Sequence, residues 1–140
     1  MSTKIRPEVS KRRDYYISKH RFYELKHFCL QYKEWRKELN ELPDISVSHA
    51  LDGRVHGHGR GPGDPVFDAV VCRELLTDRI QMVKKAAKAC SEDLGNYIFK
   101  GVTEGISYEG LHLQNGIPCC KETYYEAFRR FFFILSKLRK

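Results

Sequence analysis

The sequence predicts an all-α fold of about five helices: a long N-terminal helix, a Gly-rich connection and a C-terminal helix-turn-helix. Three observations predict it. Apolar residues recur at three- and four-residue spacings over most of the chain, the period of a helix with one buried face. No stretch alternates apolar and polar residues as a half-buried strand would. Most of the Gly, Pro and Asn that form turns fall between the periodic runs. Hydrophobic residues make up 41% of the 140 and charged residues 31%, enough apolar side chain to fold the bulk of the chain around a core.

Residues 1–13 read as a short, solvated basic arm that closes on Lys11, Arg12 and Arg13. Residues 14–42 read as one long amphipathic helix. Phe22, Leu25, Cys29, Tyr32 and Leu39 form one stripe, and Phe28, Trp35 and Leu42 form its neighbour. No Gly or Pro interrupts this run before Pro43, so at 1.5 Å per residue the helix would reach roughly 40 Å. Arm and helix together make a first segment, 1–42. Residues 43–64 form an exposed connection, because Pro43, Gly53, Gly57, Gly59, Gly61, Pro62 and Gly63 make ordering it costly in entropy.

The third segment, 65–140, is a helical domain. Asp64 caps a helix that opens on Pro65 and runs to about Cys90, with Val66, Ala69, Val70, Leu76, Ile80, Val83 and Ala87 along it. This helix is expected to pack on the N-terminal one. Ser91 caps the next helix, which buries Leu94, Tyr97, Ile98 and Val102 and ends near Gly101 or Gly105. Ser107 caps a short helix over about 108–114, Asn115-Gly116 turns the chain, and Pro118 opens a last helix that runs nearly to Lys140. The expected core of this half is Tyr97, Ile98, Leu111, Ile117, Tyr125, Phe128 and Phe132.

Charge points to a partner. The chain has 25 Lys and Arg against 18 Asp and Glu, a net +7, and the excess sits at the two ends: residues 1–42 carry +5 and residues 107–140 carry +3. An uneven excess of this size suits a polyanion such as double-stranded DNA. Membranes are not expected: no apolar run approaches the roughly 20 residues a spanning helix needs, and the first residues lack the apolar stretch of a secretory signal. Five cysteines at irregular spacing read as reduced thiols of a cytoplasmic protein.

Within 107–139 the order is short helix, Gly-containing turn, longer helix with a polar start. That is the order of a helix-turn-helix, in which one helix enters the major groove and another braces it. Lys121, Thr123 and Tyr124 open the second helix, and Arg129 and Arg130 follow. These five are the expected DNA-binding residues, as donors to base edges or phosphates. No catalytic residue, metal site or cofactor is expected. His56 and His58 lie two apart in a Gly-rich loop that does not fix tetrahedral geometry, and the Gly run lacks the Lys-Ser/Thr ending of a phosphate loop. Cys119, near a helix start, is the thiol expected to favour its thiolate.

Three segments resemble a known family: Asp-Pro-Val-Phe-Asp-Ala-Val-Val-Cys-Arg-Glu-Leu-Leu at 64–76, Val-Thr-Glu-Gly-Ile-Ser-Tyr-Glu-Gly-Leu at 102–111, and the run from Ile117 through Thr123-Tyr124-Tyr125 and Arg129-Arg130-Phe131-Phe132 to Ser136. They look like the RinA/ArpU-like phage transcriptional regulators, whose C-terminal part resembles the helix-turn-helix at the end of sigma factors. The resemblance implies a phage-encoded, non-enzymatic regulator acting in the host cytoplasm. It implies promoter DNA as ligand, with host RNA polymerase and a second copy of the chain as further partners. Cys119-Cys120 departs from the small or polar residues more usual there. Two other readings stand beside it: a small phage inhibitor of a host protein, such as a defence nuclease or RNA polymerase, and a DNA-packaging subunit.

Overall fold

A computed structural model describes residues 15–43 and 64–140. The described residues are helical with no strand among them, so the chain is all-α. In order the helices are α1 (Lys19–Leu30), α2 (Tyr32–Glu41), α3 (Pro65–Cys90), α4 (Gly95–Glu104), α5 (Tyr108–Asn115) and α6 (Lys121–Leu138). The basic arm with Lys11, Arg12 and Arg13, and the Gly-rich loop with His56 and His58, lie outside the described residues.

The helical run expected over 14–42 is present as α1 and α2, parted at Gln31. There the backbone N–H turns to the Phe28 carbonyl at 3.3 Å, a tighter bond than an α-helix makes, and the side-chain amide donates to the His27 carbonyl at 3.3 Å. The apolar stripes carry no sign of this, because Gln31 keeps helical angles (φ −79°, ψ −3°) and the spacing runs through it. This break is why six helical segments stand where about five were expected.

The described residues group into two compact units, 15–33 with 81–140, and 34–43 with 64–80. In the smaller unit, α2 meets the first turns of α3 through a few side chains, whereas the main partners of α1 are other helices than the expected 65–90 helix. Trp35 is buried and Arg79 lies over its ring at 5.9 Å, while Arg73 donates to the Pro43 carbonyl at 2.9 Å. The start of α3 follows the Asp-Pro reading: Asp64 accepts from Val66 N at 3.1 Å through its carboxylate, and Pro65 is the first helical residue.

In the larger unit, α1 packs chiefly on α4 and α6, which the sequence pattern did not anticipate. Phe22, Leu25, Phe28 and Cys29 form its buried side, and the Phe22 ring meets that of Phe132 edge-on at 5.0 Å. Tyr32 continues the contact onto Phe99, also edge-on at 5.0 Å. Such ring pairs add to the area they bury, and they make a dense aromatic core for a short chain. Two glycines end helices in the left-handed region: Gly105 after α4 (φ 70°) and Gly116 after α5 (φ 60°). After Gly105 the N–H of Ile106 reaches back to the Gly101 carbonyl at 3.0 Å, closing the helix end.

Candidate nucleic-acid interface

The helices α4, α5 and α6 share one set of buried side chains: Ile98 and Val102 from α4, Leu111 from α5, Ile117 from the turn, and Tyr124, Ala127, Phe131 and Leu135 from α6. Ser107 caps α5 by accepting from Gly110 N at 3.3 Å. Gly116 reverses the chain, its N–H on the His112 carbonyl at 3.2 Å. The turn then runs to Cys120, the N-cap of α6. The helix start expected at Pro118 is therefore three residues late: Pro118 stands in the turn, and Tyr108 Oη donates to the Cys119 carbonyl at 2.6 Å, which holds that turn against the start of α5.

The buried face of α6 also differs from the expected one. The residues of this helix expected in the core were Tyr125, Phe128 and Phe132. The deeper stripe is Tyr124, Ala127, Phe131 and Leu135, with Phe132 beside it and Tyr125 and Phe128 only partly covered. Tyr97, also expected in the core, is half-buried, whereas Ile98, Leu111 and Ile117 are buried as expected.

The five expected DNA contacts separate accordingly. Thr123 is exposed at the start of α6. Lys121 is half-exposed and its Nζ lies 2.8 Å from Glu109 Oε1, an ion pair that ties the starts of α5 and α6 together. Each partner steadies the other's charge: the Glu109 carboxyl is held below, and the Lys121 ammonium above, its ordinary range.

Tyr124 is not an outward contact. It is 1% exposed, its ring lies 5.7 Å from Tyr108 and 5.1 Å from Tyr125, and burial pushes its hydroxyl far up. Arg129 is also turned inward, beside the buried stripe, where it pairs with Glu126 at 3.5 Å. Arg130 serves the fold: Nε donates to Tyr15 Oη at 3.2 Å, Nη1 to the Cys90 carbonyl at 3.3 Å, and its guanidinium lies 5.2 Å from the Tyr15 ring centre. A phosphate contact by either arginine would have to displace these partners.

Two exposed groups at the same helix start were not singled out. Glu122 occupies its first turn, where a carboxylate suits the positive helix end and can accept from a cytosine amino group. Cys120, rather than Cys119, is the thiol eased toward thiolate. Its Sγ sits 3.1 Å from Thr123 Oγ1 and is drawn down by that hydroxyl and the backbone N–H groups of the first turn, whereas partial burial pushes Cys119 up. Cysteine is a rare N-cap, which is why the sequence did not mark the boundary.

No group of three or more His, Cys, Asp and Glu with metal-holding geometry occurs among the described residues, and no described helix is long and apolar enough to cross a membrane. In class the protein is all-α, ending in a short helix, a Gly turn and a long helix whose start is exposed and polar. No protein-family model, curated protein or solved structure matches the chain.

Proposed function

We propose that the chain binds double-stranded DNA as a transcriptional regulator, with α5 as the bracing helix and the start of α6 as the reading element. The observation that carries this reading is the common core of α4, α5 and α6, which leaves Glu122 and Thr123 at the surface with Lys121 between them and Glu109. A helix start is the part of a recognition helix that reaches base edges. The resemblance to phage regulators and the net +7 support the same reading. The residues assigned to the groove are Lys121, Glu122 and Thr123. Tyr124 and Arg129 are assigned to the fold.

The test is selection of a duplex from a random-sequence pool, followed by anisotropy titration. Replacing Lys121 and Thr123 by Ala is expected to weaken the selected duplex by at least tenfold, about 1.4 kcal/mol, and to relax its sequence preference. Binding with undiminished preference would refute the assignment.

A protein partner has one observation in its favour. Val66, Phe67, Val70, Val71 and Leu75 on α3 are each 37% exposed or more, and they spread around the first turns of the helix. A helix apolar on several sides ordinarily has a neighbour on each. Retention of a host protein by the wild type, insensitive to nuclease and lost on Val71→Lys with Leu75→Lys, would favour that reading over DNA.

A further inference from the structure

The turn before α6 carries two adjacent thiols that the reading above does not use. Cys119 and Cys120 are neighbours in the chain but differ in surroundings. Cys120 is exposed, caps α6 and has its Sγ 3.1 Å from Thr123 Oγ1. Cys119 is half-buried, and its carbonyl accepts from Tyr108 Oη at 2.6 Å. The start of an 18-residue helix favours an anion, and the Thr123 hydroxyl can donate to one, so both steady a thiolate at Cys120. Burial acts the other way at Cys119 and favours its protonated form. The remaining thiols lack this combination. Cys29 and Cys90 are buried, and Cys72, which is exposed, lies inside α3 with no cysteine next to it in the chain.

An accessible thiol with thiolate character, beside a second thiol able to resolve it, is the arrangement of an oxidation-sensitive cysteine. We propose that Cys119 and Cys120 form a site of reversible oxidation by hydroperoxides, with Cys120 as the attacking thiolate and Cys119 as the resolving thiol. In the first step the Cys120 sulfur attacks one oxygen of hydrogen peroxide. The S–O bond of a sulfenic acid forms, the O–O bond breaks, and the leaving hydroxide takes a proton from solvent to become water. In the second step the Cys119 sulfur attacks the Cys120 sulfur. The S–S bond forms, the S–O bond breaks, and the hydroxide leaves as water with the proton of the Cys119 thiol. The two thiols together give two electrons to one peroxide.

Ring closure acts on the fold at a defined place. The Cα atoms of adjacent residues stand about 3.8 Å apart, less than the roughly 4.4–6.8 Å a disulfide usually spans, so the 119–120 peptide has to twist. That peptide carries the carbonyl held by Tyr108, and the carbonyl of Cys120 receives Tyr124 N at 3.1 Å. Oxidation therefore loosens the first turn of α6, and the strain keeps the bond easily reduced. A fall in duplex affinity on oxidation rests on the reading of α6 proposed above, whereas the thiol chemistry does not.

The experiment treats the full chain with hydrogen peroxide and maps its thiols by mass spectrometry. Trypsin releases both cysteines in residues 101–121, a peptide expected to become two hydrogens lighter with peroxide and to recover with dithiothreitol. Before oxidation, iodoacetamide is expected to alkylate Cys120 at least about tenfold faster than Cys72. Cys119→Ser is expected to stop at a Cys120 sulfenic acid that dimedone traps, and Cys120→Ser to leave Cys119 reduced. Serine is itself a good helix cap, so both variants are expected to keep wild-type circular dichroism. Equal alkylation of Cys120 and Cys72, or a peptide unchanged by peroxide, overturns the inference. So does a disulfide that joins two copies of the chain through Cys120 in place of the ring. Exchange of the Tyr124 amide hydrogen reads the loosened turn without DNA. It is expected to quicken in the oxidised chain, and unchanged exchange overturns the link between ring closure and α6. Severalfold weaker binding of the selected duplex, reversed by dithiothreitol, is the expected functional result. A chain that oxidises and loosens in this way but binds no duplex in either state refutes the DNA reading and leaves the thiol site standing.

Discussion

At Gly101, α4 passes close against Tyr124 of α6. A Cβ there would run into Tyr124 Oη, and would stand 3.2 Å from the Ile106 carbonyl oxygen and 3.3 Å from Leu111 Cδ1. Gly101→Ala is therefore expected to cost about 2 kcal/mol by overpacking, although Ala is the better helix former. Because the nearest clash is one hydroxyl, most of that cost should vanish in a Tyr124→Phe background. A double-mutant cycle in urea checks it, and equal costs in both backgrounds would remove the assigned contact. Cys90 makes a second residue-scale prediction. Its buried Sγ donates to the Ala87 carbonyl at 3.0 Å, and burial pushes the thiol up from about 9 to about 11. Between those values the unfolded chain gives up a proton that the folded chain keeps. The stabilisation is whole below pH 9 and drains as pH rises toward 11, at up to about 1.4 kcal/mol per pH unit. Cys29 and Tyr124 are shifted the same way by burial and extend the loss to higher pH. Urea midpoints measured from pH 8 upward should fall across this window, and fall less steeply in Cys90→Ala.

At the scale of elements, the ion pair between α5 and α6 sets up a competition. Lys121 cannot give its full charge to a phosphate or base while Glu109 holds it at 2.8 Å. Glu109→Gln is expected to raise duplex affinity severalfold and to change stability little, since exposed pairs contribute modestly. Parallel anisotropy and melting measurements check both halves, and weaker binding in the Gln variant would show that the pair orders the reading helix instead. Element identity was largely legible in the sequence: Asp64-Pro65, Ser107 and Gly116 mark helix ends through local chemistry that survives in the fold. The start of α6 was not legible, because Pro118 is equally at home in the first turn of a helix and in a turn before one, while the actual cap is a cysteine. The face that α6 buries was not legible either, because apolar rings stand on several of its sides and only packing against α4 and α5 decides among them. Tyr124 and Arg129 point inward and Thr123 outward, so three of the five expected contacts (Tyr124, Arg129 and Arg130) turn out to brace the fold. The break at Gln31 was equally silent, since helical angles at one residue leave the apolar spacing intact.

On the scale of the whole molecule, periodicity identifies buried faces but not which face meets which, and this is where the pairing of α1 with α4 and α6 escaped the sequence. The resulting partition has a measurable consequence. The larger unit buries Phe22, Phe28, Tyr124, Phe131 and Phe132 with many aliphatic side chains. The smaller buries Trp35, Ala69, Leu76 and Ile80 and exposes five large apolar residues on α3. Less apolar area withdrawn from water means less stabilisation, so the smaller unit should open first in denaturant. Trp35 is the chain's one tryptophan and is 2% exposed, so its emission reports on that unit alone, whereas every tyrosine of the chain belongs to the larger unit, so the tyrosine band of the near-ultraviolet circular dichroism reports on that one. In a urea titration the red shift of Trp35 is expected at lower denaturant than the loss of the ring signals, with far-ultraviolet ellipticity falling in both steps. Val71→Lys, on an exposed position of α3, should leave both midpoints nearly unmoved, and Leu76→Ala, in the smaller core, should lower the Trp35 midpoint alone. If all probes instead trace one superimposable transition in every variant, then the continuous helix α3, whose residues belong to both units, couples them into a single cooperative fold.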